Sequence, residues 1–285
     1  MASPLVDLAA LSTLAEGIDH PEGICATRDG TIYVGGEAGQ VYRVGEGGAA
    51  EEIVSVGGFL LGLAADAAGR IYAIDNVRKC VWRVEPRTGT AEVWAEGPPG
   101  RPFRTPNWGA FDRSGTYYLS DSGGWGAADG LLWRIPPGGS PEPWDEDVRG
   151  FPNGLCLSAD GSTLYVLESY PGALVEVPIL DDGSPGERRL LCDLDPAVPD
   201  GVAPTEDGAL LIACYRPDAV LRWHPDDGLQ TLAEDVRGTV LAAPTNIAFA
   251  GDDLREALVP NIGRWHVTRI PLSAPGVPPF YPDVP

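Results

Sequence analysis

Six segments of this chain repeat one pattern, and a repeat with a period of roughly 40 to 50 residues restricts a chain to stacked arrays or propellers. Each segment reads as a turn, a short apolar strand, a hairpin turn that in most units contains Gly, and a second apolar strand. The units open at Pro21-Glu22-Gly23-Ile24, Leu60-Leu61-Gly62-Leu63, Pro106-Asn107-Trp108, Pro152-Asn153-Gly154-Leu155, Pro199-Asp200-Gly201-Val202 and Pro244-Thr245-Asn246-Ile247. Their second strands follow at Ile32-Tyr33-Val34, Ile71-Tyr72-Ala73, Tyr117-Tyr118-Leu119, Leu164-Tyr165-Val166, Leu210-Leu211-Ile212 and Ala257-Leu258-Val259. Aligned on the residue before the first strand, the units fall at positions 22, 61, 107, 153, 200 and 245, so the steps are 39, 46, 46, 47 and 45. A third strand with an aromatic beside an arginine follows in most of them: Tyr42-Arg43, Trp82-Arg83, Trp133-Arg134 and Arg222-Trp223.

Three visible strands and an expected fourth make a propeller blade. The fold expected is therefore all-β, a six-bladed β-propeller occupying residues 1–285 as a single domain. The 37 Gly and 28 Pro agree with many short strands joined by tight turns, with helix a minor component. A pair of β-sandwiches would need no such period. Closing the ring requires one terminus to complete the blade begun by the other, and the Pro-rich tail after Leu272 is expected to lie across the surface.

Charge bounds the partners. The 20 Lys and Arg stand against 41 Asp and Glu, a formal charge of -21, which repels phosphate backbones and anionic lipid and favours cations. A small-molecule substrate is expected, with no nucleic acid and no membrane partner. The five cysteines, Cys25, Cys80, Cys156, Cys192 and Cys214, include no CxxC pair and read as buried free thiols. Met1 to Leu14 lacks a basic start followed by an apolar core, and no run of about eighteen apolar residues occurs, so the expected location is cytoplasmic.

In a propeller the innermost strand of each blade lines the central tunnel. The residues just before those strands, Glu22, Leu61, Asn107, Asn153, Asp200 and Thr245, become neighbours in a ring at the tunnel mouth. Glu22, Asn107, Asn153 and Asp200 are oxygen donors, two anionic and two neutral, which is the set a hard divalent cation prefers. Ca²⁺ fits this set best, with Mg²⁺ and Mn²⁺ compatible. Zn²⁺ fits less well, because no His or Cys stands in the ring. Pro-Asn-Gly and Pro-Asp-Gly are also ordinary turn sequences. Four such donors in register are harder to explain as turns alone, because uncompensated carboxylates at a tunnel mouth cost stability.

These motifs, with Ser158-Ala159-Asp160-Gly161 and Pro244-Thr245-Asn246-Ile247-Ala248-Phe249, resemble the gluconolactonase family, which includes senescence marker protein and luciferin-regenerating enzyme. The resemblance implies a calcium-dependent six-bladed propeller that hydrolyses lactones. It also implies metal ligation by Glu22, Asn153 and Asp200, a fourth ligand or substrate-orienting amide at Asn107, and a catalytic carboxylate at Asp200. Two positions depart from the family's pattern: Thr105 stands where an arginine commonly holds a sugar acid, the nearest arginine being Arg104, and Trp108 follows Asn107 where Asp or Gly is common. Both point away from a polyhydroxylated sugar lactone.

Residues ending the second strands return to the same mouth, which places Glu37, Asp75, Asn76, Asp121, Glu168, Tyr215 and Asn261 near the pocket. The expected substrate-binding set is Asn107, Arg104, Trp108, Asp121, Trp125 and Tyr215. The segment Pro102-Phe103-Arg104 and the Gly-rich loop from Ser122 to Gly126 are expected to form a lid. His20 is a weak candidate for a general base, and no GxSxG motif supports a serine nucleophile. A metal-dependent lactonase or esterase is the function expected. The alternative is a non-hydrolytic member, such as a cyclisation enzyme, or a binding propeller with a structural ion.

Overall fold

The computed structural model describes residues 3–285; Met1 and Ala2, which open the segment read as lacking a leader, lie outside the described residues. Its strands form six four-stranded antiparallel sheets. The innermost strands are Ile24–Ala26, Leu60–Ala65, Pro106–Phe111, Pro152–Leu157, Val198–Pro204 and Ala248–Ala250. Each is followed outward, in chain order, by the next strands of its blade. Among the described residues, helix is confined to the 3-10 turns Leu8–Ala10 and Glu46–Gly48, and no helix is long and apolar enough to cross a membrane. The fold is a six-bladed β-propeller.

Ring closure falls to the N-terminal strand Ser12–Glu16, which pairs with His266–Pro271 as the outermost strand of blade six, with Thr13 opposite Thr268 and Glu16 opposite His266. The core is not central. It is divided into wedges between adjacent blades, such as Tyr72, Phe111 and Tyr117 between blades two and three, and Ile24, Val34 and Leu258 between blades six and one. Further out, cross-strand pairs explain the arginine of the third strand: Arg43 meets Glu51, Arg83 meets Glu92 and Arg134 meets Glu142. Such exposed pairs contribute little stability, but they fix register.

The Pro-rich tail crosses the end of the tunnel opposite the Glu22 ring. Val277 N donates to Pro204 O at 2.9 Å on blade five, and Tyr281 Oη donates to Ala26 O at 3.0 Å on blade one. Arg113 of blade three lies over the Phe280 ring at 4.4 Å. Ala67 N of blade two donates to Pro282 O at 2.9 Å, and Val284 is buried against blades two and three. Between this strap and the inner strands lies a cavity of about 790 Å³, walled by Ile24, Leu63, Trp108, Leu155, Val202 and Ile247. The five cysteines are free; Cys25, Cys80 and Cys214 are buried, and Cys156 and Cys192 are half-buried. Burial raises the pKa of the Cys25, Cys156 and Cys214 thiols and so removes their nucleophilic form.

Candidate metal centre at the tunnel mouth

Two local devices bring the ring side chains together. The first is a bulge. In blade three Pro106 pairs with Asp121 and Gly109 with Leu119, so three steps on the inner strand match two on its partner, and Asn107 sits in the extra residue's place. The same slip encloses Leu61, Asn153 and Asp200. A bulge bends its strand and re-aims a side chain, which is why such features gather beside active sites.

The second device is close approach of neighbouring blades through glycine. A Cβ on Gly154 would stand 2.3 Å from the carbonyl oxygen of Asp200, and one on Gly201 would stand 2.6 Å from that of Thr245. The Gly after the ring residue thus lets the next blade's ring residue lie directly alongside. Blade six closes on blade one through Thr245 Oγ1, which donates to the Glu22 carbonyl at 2.8 Å. Strain accompanies the arrangement: His20, Phe151 and Ala243, each followed by a proline and two residues before a ring residue, have positive φ of 37°, 56° and 50°.

The two amides are oriented. Asn107 Nδ2 donates to Ser122 Oγ at 3.1 Å, and Asn153 Nδ2 donates to Ser169 Oγ at 3.2 Å. Both hydroxyls then donate onward, Ser122 to Pro152 O at 2.7 Å and Ser169 to Pro199 O at 2.6 Å. Each serine therefore uses its proton on the next blade and leaves an oxygen to accept the amide. With the NH₂ groups held this way, the carbonyl oxygens are left as acceptors for the ring.

The carboxylates carry the electrostatic signature. Among the described residues no ion pair and no backbone amide reaches the side chain of Glu22 or Asp200, and the polar neighbour of Asp200 is the Asn153 amide. Burial raises the Asp200 pKa to about 7, partly opposed by Asn153. Burial, reinforced by the charge of Asp200, raises that of Glu22 well above the ordinary carboxylate range. Two facing carboxylates without a compensating cation, flanked by oriented carbonyl oxygens, suit a hard divalent ion.

The other residues singled out in the sequence divide into three groups. Arg104, Trp125 and Tyr215 are exposed at this end of the propeller, and the two segments expected to form a lid are fastened together there: Arg104 Nη1 meets Asp129 Oδ2 at 2.5 Å and Thr105 Oγ1 donates to Gly123 O at 2.8 Å. Asp121 is buried and does not face the pocket. It accepts the backbone N–H of Arg104 at 2.9 Å and of Thr105 at 2.6 Å, together with Trp133 Nε1 at 3.2 Å. Trp108 is also buried, packed with Tyr118, Leu132 and Trp144 between blades and bordering the cavity below the ring. The structure does not bring it to the mouth.

Asp121 exemplifies a repeated device. Asp75 takes the amide of Phe59 and Trp82 Nε1, Glu168 takes the amides of Arg149 and Gly150, and Asn261 takes that of Ala242. A carboxylate or amide ending the second strand thereby secures the loop that leads into the first. Sequence reasoning missed these clamps and the two orienting serines. The available signal was a polar residue at the same point of several blades. Beside the ring, His20 Nδ1 lies 2.8 Å from Asp19 and 2.7 Å from Glu37, with its ring against Trp265 at 4.6 Å.

The fold defines a class, that of six-bladed β-propellers. Residues 20–262 match the family described as SMP-30/Gluconolactonase/LRE-like region, and the chain belongs to that family. It is similar to a 6-deoxy-6-sulfogluconolactonase from Pseudomonas putida, at 30% identity over 185 residues, covering 63% of this chain and 61% of that one, under two thirds of its length. In fold it is similar to a gluconolactonase from Xanthomonas campestris, with TM-score 0.78 and 22% identity over 95% of each chain. It is likewise similar to the calcium-binding protein regucalcin from Agrobacterium tumefaciens, with TM-score 0.79 and 20% identity over 100% of each chain.

Proposed function

We propose that this protein is a divalent-metal-dependent lactonase, acting on a small lactone or ester at the mouth of the propeller tunnel. The observation that carries the reading is the pair of a half-buried Glu22 and a buried Asp200, with no Lys or Arg beside them among the described residues and with both pKa values raised, first by desolvation. Membership of the family and the lactonase and calcium-binding names among its relatives support the same reading.

Glu22, Asn153 and Asp200 would hold the ion, with Asn107 a fourth ligand or an amide that orients substrate; Ca²⁺ is the ion proposed. When bound, such an ion polarises a carbonyl oxygen and raises the acidity of nearby water. Asp200 accepts a proton from the attacking water. The oxygen of that water bonds to the lactone carbonyl carbon, the ring C–O bond breaks, and the proton returns to the departing alkoxide. Asn107 and Asn153, fixed through Ser122 and Ser169, keep their carbonyl oxygens aimed without reorganisation during turnover.

A panel of γ- and δ-lactones and aryl esters, assayed with and without chelator, tests the reading. Hydrolysis of at least one lactone, abolished by chelation and restored by Ca²⁺, is the expected result. Absence of lactone turnover at saturating Ca²⁺ would refute it.

A further inference from the structure

The mouth carries an aromatic platform for which the proposed metal chemistry has no use. Trp125 is 55% exposed and Tyr170 is 52% exposed, although folding normally covers such large rings. They are not scattered. The Trp125 ring centroid lies 5.0 Å from that of Phe151 and 5.3 Å from that of Tyr170, which makes one continuous surface.

Each ring is attached to the metal centre by a short length of chain. Phe151 stands two residues before Asn153. Tyr170 follows Ser169, the hydroxyl that accepts the Asn153 amide. Trp125 lies three residues beyond Ser122, the hydroxyl that accepts the Asn107 amide. The rings are thereby carried on the same elements that orient the oxygen donors of blades three and four.

The loop that bears Trp125 is also fastened. Asp129 accepts Gly124 N at 2.8 Å and Arg104 Nη1 at 2.5 Å, closing the loop that bears Trp125 at both ends. Gly126, at φ +70°, passes close enough to Tyr170 that a Cβ there would stand 3.5 Å from its ring. Exposed apolar surface that is already ordered binds a flat ligand without the entropy cost of arranging itself. The clamp also engages Arg104, the cation nearest the position where the family's resemblance implies an arginine for a sugar acid. Arg149, two residues before Phe151, is exposed and makes no ion pair among the described residues, so the apolar platform borders one free cation.

We propose that the substrates are lactones bearing an aryl or similarly flat apolar substituent, which stacks on Trp125 and Tyr170 while the lactone carbonyl faces the Asn107–Asn153 side of the ring. This rests on the lactonase reading above. The test compares γ-phenyl-γ-butyrolactone with its γ-methyl counterpart, in wild type, Trp125→Ala and Tyr170→Ala. Binding of the corresponding phenyl- and methyl-substituted lactams, which resist hydrolysis, is measured in parallel by calorimetry. A phenyl preference of about tenfold in kcat/KM is expected, carried mainly by KM, matched in lactam affinity and lost in both variants. Equal kcat/KM for phenyl and methyl lactones in the wild type would overturn the proposal while leaving lactonase activity established. Phenyl-lactam binding that depends on Trp125, without turnover of any lactone, would support the platform and refute the lactonase reading instead. A concentration-dependent dimer that Trp125→Ala dissolves would make the platform a self-association surface and would also overturn it.

Discussion

The two roles proposed for Asp200, ligand and proton acceptor, separate by substitution. Asp200→Asn keeps shape and an oxygen donor but removes the basic site, whereas Glu22→Gln removes one charge and leaves Asp200 to act. Excess Ca²⁺ is expected to restore much of the activity of Glu22→Gln and little of that of Asp200→Asn, with kcat of the latter reduced about a hundredfold or more. Metal titrations of both variants, assayed on one lactone, check this. The orienting serines give a milder prediction: Ser169→Ala frees the Asn153 amide to rotate and should weaken Ca²⁺ binding about tenfold, read by calorimetry, with the fold retained. The pH dependence follows from the raised pKa values. Folded Asp200 binds its proton more tightly than the unfolded chain does, so the metal-free fold is favoured at low pH. That contribution is lost as pH rises from about 3.8 through about 7. A bound divalent cation would offset the buried negative charge above that range. The Tm difference between metal-loaded and metal-free protein is therefore expected to widen, by roughly 5 °C or more, between pH 5 and pH 8.

The Pro-x-Gly openings were visible in the sequence, but their mechanical meaning needed the neighbouring blade. Gly154 could be read as a turn residue; in the structure it is where the Asp200 backbone makes contact. Gly154→Ala should accordingly destabilise the protein by about 2–4 kcal/mol, measured by urea unfolding, because backbone cannot move aside as a flexible side chain can. Trp108 and Asp121 show why part of the site was not legible. Adjacency to Asn107 suggested that Trp108 reaches the pocket, yet side chains on a strand alternate between faces, and the residue after a tunnel-facing one turns into the wedge between blades. For Asp121, a carboxylate ending a second strand has the same spacing whether it faces a pocket or captures amides. Only the path of the incoming loop decides, and Arg104 and Thr105 approach with their N–H groups toward it.

For the molecule as one ring of blades, the period gave the six-bladed fold, and the proposed set of four oxygen donors follows from it because rotational symmetry converts equal phase into proximity. What the period could not convey lies outside the repeat, above all the course of the tail. It joins blades at the end opposite the metal centre, with Tyr281 and Val284 as anchors. A truncation after Leu272 is therefore expected to lower the Tm by about 5–10 °C while leaving Ca²⁺ affinity within about twofold of the full chain. A comparable loss of Ca²⁺ affinity would mean that the two ends of the tunnel are coupled.

If the ring of Glu22, Asn107, Asn153 and Asp200 is the metal centre as proposed, metal occupancy and activity rise and fall together. Calorimetric titration of metal-stripped protein with Ca²⁺, with lactone hydrolysis followed on the same samples, tests it most directly. One ion per chain is expected, with activity rising in proportion to occupancy and both lost in the double variant Glu22→Gln, Asp200→Asn. Full activity in the stripped protein, or one-to-one binding that survives the double substitution, would contradict it.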